Sequence, residues 1–69
     1  MTPTPVNNDE YADSLLREAA RMMLVRCPRS AMARLRRIAQ HDAETYGADY
    51  HEALGRRKAQ LADMLGLPL

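Results

Sequence analysis

The chain has 69 residues, 46% hydrophobic and 28% charged. A chain of this size buries only roughly 60% of its unfolded surface, which argues against a multi-step enzyme carrying its own cofactor domain. One cysteine excludes an intrachain disulfide, and without a Cys/His cluster no zinc framework is expected, so stability must come from helix packing or self-association. The formal net charge of +1 hides a separation: residues 17–37 hold Arg17, Arg21, Arg26, Arg29, Arg34, Arg36 and Arg37 against Glu18 alone, whereas Asp42, Glu44, Asp49 and Glu52 make the next stretch acidic.

Residues 1–8 carry two X-Pro units, Thr2-Pro3 and Thr4-Pro5, then Asn7 and Asn8. This composition predicts a flexible, Pro-containing N-terminal arm ahead of a single helical domain over residues 9–69. The start MTPTPVNNDE lacks the charged and apolar regions of a signal peptide, and no run approaches the roughly 18 apolar residues that cross a bilayer. A cytoplasmic protein with no membrane association is expected.

Three helices are predicted, at about 9–26, 29–46 and 50–65. In the first, Tyr11, Ala12, Leu15, Leu16, Ala19, Met22 and Met23 recur at three- and four-residue spacing, opposite Asp13, Arg17 and Arg21, with Asn8 or Asp9 as cap. Pro28 disfavours helical geometry at Cys27 and is welcome in the first turn of the next helix, which makes Cys27-Pro28 a corner. The second helix lines up Ala31, Met32, Leu35, Ile38, Ala39, Ala43 and Tyr46 before Gly47, which suits a left-handed cap in a corner at Gly47-Ala48. Asp49 and Glu52 resemble a capping box for the third helix, whose stripe is Tyr50, Ala53, Leu54, Leu61, Met64 and Leu65, ended by Gly66-Leu67-Pro68. Gly55 falls inside it and weakens it by up to about 1 kcal/mol. No alternating run suggests a strand, so the expected fold is all-α, a compact up-down-up bundle. The stripes are thin and rich in alanine, which makes a homodimer a candidate state, with Leu24 on the polar back of helix one as its apolar contact.

Within the stripes, Asp42 falls between Ile38, Ala39 and Tyr46, and Arg57 falls between Leu54 and Leu61 about one turn away across the corner. A partly buried structural ion pair is expected between them. Tyr11, Tyr46 and Tyr50 should converge on the same end as core-edge residues. His41 and His51 flank the same turn but lack partners at ligand spacing, so they are expected to be solvated, with no metal site. No base or oxyanion donors accompany Cys27, and neither catalysis nor a cofactor is expected.

Nine of the ten basic residues are arginine, whose planar fork grips carboxylate or phosphate with two parallel bonds. Arg17, Arg21, Arg34, Arg36, Arg37, Arg56, Arg57 and Lys58 form the expected partner-binding face. The leading reading is a non-enzymatic helical module that regulates or inhibits a larger macromolecule, with an acidic protein surface favoured as its partner. The alternative is a small DNA- or RNA-binding regulator. Residues 39–58 partly resemble a helix-turn-helix, with Ala43 and Gly47 at the spacing of its small residue and turn glycine, and Arg56-Arg57-Lys58 on its second helix. Asp42 and Arg56 depart from the apolar pattern of that motif, and Asp49 and Glu52 would repel phosphate at the helix start. Asp13-Ser14-Leu15 resembles the attachment tripeptide of acyl carrier proteins, but it lies inside helix one instead of opening a second helix, so Ser14 is expected to be a surface residue.

Overall fold

In a computed structural model describing residues 9–66, three helices, α1 (Glu10–Leu24), α2 (Pro28–Tyr46) and α3 (Tyr50–Leu65), pack as a three-helix bundle, with no strand among the described residues. The N-terminal arm and the Leu67-Pro68 stop signal lie outside the described residues. The core joins Ala12, Leu15, Leu16 and Ala19 of α1 to Ala31, Leu35 and Ile38 of α2 and Leu61 of α3. Alanine recurs through this core, which lets the backbones approach closely while leaving few large side chains to bury.

Each helix begins and ends with a local device. Asp9 caps α1 by accepting a hydrogen bond from the Ala12 amide at 3.2 Å, and Asp49 caps α3 by accepting from the Glu52 amide at 3.0 Å. Pro28 opens α2 where its missing N–H costs nothing. Gly47 (φ 72°) and Gly66 (φ 68°) close α2 and α3 in the left-handed region. Helix α3 runs unbroken through Gly55.

Helix α1 ends at Leu24, short of the expected boundary at 26, because the chain leaves the helix through Arg26 in the left-handed region at φ 63°. The Arg26 amide donates to the Met23 carbonyl and the Cys27 amide to the Met22 carbonyl, at 3.1 and 2.7 Å. This is a Schellman cap, and it sets Cys27 in position to precede Pro28. A non-glycine residue there costs roughly 1 kcal/mol relative to glycine.

The expected stripes hold at their centres and fail at their ends. Tyr11, Tyr46 and Met64 are about half exposed, and Met22, Met23, Met32, Leu54 and Leu65 are half-buried at the margin of the core. A helix of a short three-helix bundle is covered on only part of its circumference, and its terminal turns extend past the partner that would cover them.

Candidate interaction surface

At the end of the bundle where α1 begins and α2 ends, side chains from all three helices build one polar seam. Both oxygens of Asp42, a buried residue, accept from Arg57, Oδ2 from Nε and Oδ1 from Nη2, each at 2.9 Å. The remaining Nη1 of Arg57 donates to Gln60 at 2.8 Å. The α2–α3 pairing thus rests on a bidentate fork, and no buried side-chain polar atom lacks a partner among the described residues.

One turn along α2, Tyr46 donates its hydroxyl to Asp9 Oδ2 at 2.7 Å, and His41 Nε2 lies 2.8 Å from the same oxygen. A carboxylate only accepts, so Nε2 carries the proton, and in the neutral ring Nδ1 accepts from Thr45 at 3.3 Å. The Tyr11 ring sits 4.7 Å from the His41 ring, with the planes tilted by 50°. Hydrogen bonding from Tyr46 is the main cause that holds the Asp9 carboxyl down at about 2, helped by the Ala12 amide and His41 against the opposing effect of burial. The same bond raises Tyr46 above its ordinary value.

His41 is therefore engaged with Asp9 and Tyr11, which corrects the solvated ring expected from sequence spacing. Its partners come from the start of α1, 32 residues away for Asp9, so no local pattern marks it. Tyr11 and Tyr46 both meet His41, while Tyr50 stacks edge-on against His51 with ring centres 5.3 Å apart. No group of three or more His, Cys, Asp or Glu side chains suited to a metal ion occurs among the described residues.

The basic residues expected to form one face divide into two sets. Arg17 pairs with Asp13 at 3.3 Å, Arg34 with Glu18 at 2.9 Å and the Ser30 carbonyl at 3.1 Å, and Arg57 is turned into the α2–α3 seam. Arg21, Arg36, Arg37, Arg56 and Lys58 are exposed and have no ion-pair partner among the described residues. Arg26 and Arg29, outside the expected face, share that state. Arg29 and Arg36 lie on one side of α2 about two turns apart, with exposed Ala33 and Gln40 in the same row. Arg37 borders a shallow depression with Tyr11, Gln40, His41 and Glu44, and Arg56 borders a second with Asp42, Tyr46 and Gln60.

Among the acidic residues near this end of the bundle, Asp13 and Asp42 pair with arginines, Asp9 is held by His41 and Tyr46, and Glu44 accepts from the Gln40 amide at 2.7 Å. Leu24 is 73% exposed and the adjoining Val25 62%, so the α1–α2 corner presents an apolar pair to solvent. No helix among the described residues is long and apolar enough to cross a membrane. Comparison with protein-family models, curated proteins and solved structures gave no match.

Proposed function

We propose that this chain is a non-enzymatic interaction module that regulates or inhibits a larger macromolecule through its arginine-bearing surface, with an acidic protein surface as partner. The observation that carries this reading is the division of the cations. Arg17, Arg34 and Arg57 are spent on holding helices or turns together, while Arg21, Arg36, Arg37, Arg56 and Lys58 are exposed with no acidic partner among the described residues. An arginine fork without an internal carboxylate is a ready donor set for one from outside.

A protein partner is favoured over nucleic acid because exposed Asp49 and Glu52 stand at the start of α3, the end a helix-turn-helix would point at phosphate. A polyanion lying along α2 and α3 would meet them together with Glu44. A protein surface needs to match only the basic rows.

Two measurements test the reading. Labelled mixed-sequence duplex DNA and single-stranded RNA, followed by anisotropy at about 50 and 200 mM salt, should show no tight binding, whereas a contact to several phosphates would lose orders of magnitude in affinity across that interval. A protein retained from extract by the wild-type chain and lost by the Arg36→Glu, Arg37→Glu double variant supports the reading. Micromolar nucleic-acid binding that collapses with salt and is abolished by the same double variant overturns it in favour of the nucleic-acid regulator.

A further inference from the structure

The α1–α2 corner gathers three features that the bundle itself does not use. Leu24 and Val25 are exposed side by side, 73% and 62%. Arg21, Arg26 and Arg29 flank them in the chain, exposed and with no carboxylate partner among the described residues. The backbone at Arg26 is left-handed, φ 63°, at a helix cap where α2 and α3 both use glycine at an equivalent turn.

Arg26 is held in a conformation that glycine adopts freely, and its guanidinium makes no hydrogen bond or ion pair among the described residues that would offset that cost. Its side chain is kept at a conformational cost, beside apolar surface that is also unused. Half-buried Met22, Met23 and Met32 adjoin the corner and give it side chains that reshape around an apolar ligand. The up-down-up path brings the last turn of α3, with exposed Met64 and half-buried Leu65, to the same end.

We propose that this corner is the docking point for an acidic amphipathic helix of a partner protein: Leu24 and Val25, with the methionines behind them, receive its apolar stripe, and Arg21, Arg26 and Arg29 receive the carboxylates flanking that stripe. The occupant follows from charge complementarity, since three exposed cations with no carboxylate partner among the described residues flank an exposed apolar pair. This proposal rests on the protein-partner reading above and places the anchor at the corner, away from the outer row of α2.

The probe is a fluorescein-labelled helical peptide of about five turns with leucines at i, i+3, i+4 and i+7 and glutamates on the flanks. A control peptide carries lysines in place of the glutamates. The glutamate peptide should bind with a dissociation constant in the micromolar range, the lysine peptide at least tenfold more weakly, and amide shifts should centre on Leu24, Val25 and Arg26. Arg26→Gly and Leu24→Ser should each weaken binding tenfold or more. Arg26→Gly should at the same time melt a few degrees above wild type, so that loss of binding cannot be ascribed to unfolding. Equal binding of both peptides, unchanged affinity in Arg26→Gly, or shifts centred elsewhere overturns the proposal.

Two further arms separate the other occupants of such a surface. Vesicles with about one third phosphatidylserine that bind in preference to the peptide overturn the proposal and assign the corner to an anionic membrane. Concentration-dependent dimerisation abolished by Leu24→Ser overturns it in favour of a second copy of this chain. Peptide binding lost in Arg36→Glu, Arg37→Glu but kept in Arg26→Gly leaves the broader protein-partner reading standing and removes the corner from it.

Discussion

Asp42 and Arg57 face each other through two parallel hydrogen bonds of 2.9 Å, the carboxylate on α2 and the guanidinium on α3, 15 residues apart in the chain. With the Asp42 residue 5% exposed, loss of that carboxylate leaves a partly buried cation without its counter-charge. Such one-sided removal typically costs about 3 kcal/mol or more, although an apolar pair of the same shape can replace the bridge at little loss. Asp42→Ala should therefore lower the melting temperature far more than Glu44→Ala, whose side chain lies outside the seam. Thermal denaturation of the two variants decides this, and equal losses would show that the bridge orders the helices without stabilising them.

The ion pair of Arg34 and Glu18 offers a contrast in burial. Its side chains are 31% and 41% exposed, so solvent and salt screen it. Glu18→Gln should cost only about 0.5 kcal/mol in dilute buffer. Denaturant titrations in low salt and in about 1 M sodium chloride should show that difference shrinking toward zero, while the Asp42→Ala deficit persists.

Asp9 makes stability depend on pH in a defined window. Its carboxyl falls from 3.8 to about 2 in the fold, chiefly through the Tyr46 hydroxyl. The charged form is thus favoured by folding, and its contribution is fully present above about pH 4 and is lost as pH falls toward about 2. Asp9→Asn keeps a competent helix cap but removes the charge. Urea titrations from about pH 5 to about pH 2 should find the variant less stable at the upper end and the gap closing across the lower half of that range. Tyr46→Phe should narrow the same window by letting the Asp9 carboxyl rise, and a gap independent of pH would exclude the tyrosine bond as its source.

The parts of the fold legible in sequence are those fixed over short distances. Apolar spacing of three and four marks all three helices, Asp9 and Asp49 mark their caps, and Gly47 and Pro28 mark the corners, because each of these preferences acts within one turn. Asp42 and Arg57 stand out because a charge inside an apolar stripe conflicts with its own helix and demands a partner. The Asp9, His41 and Tyr46 cluster carries no such conflict: each residue is acceptable on a helix edge, and only the antiparallel packing of α1 on α2 brings them together. Arg26 is hidden for a different reason. Its left-handed backbone is imposed by the turn into Pro28, whereas a glycine at that place would announce the cap and shorten the predicted helix to Leu24.

Two glycines give opposite answers to the same substitution, and both answers follow from backbone geometry. Gly47 sits at φ 72° with open space where a methyl group would stand, so alanine there meets no neighbour but is strained by its own backbone. Gly55 lies within α3 and also faces open space, so alanine there removes unfolded-state freedom at no steric cost. Gly47→Ala should destabilise by about 1 to 2 kcal/mol, and Gly55→Ala should stabilise by up to about 1 kcal/mol. In a domain of this size each kcal/mol moves the melting temperature by about 4 to 8 °C, so the two variants should bracket wild type in a single thermal scan. Destabilisation by Gly55→Ala would mean that α3 is not a continuous helix in solution, and a neutral Gly47→Ala would mean that the second corner does not depend on its left-handed cap.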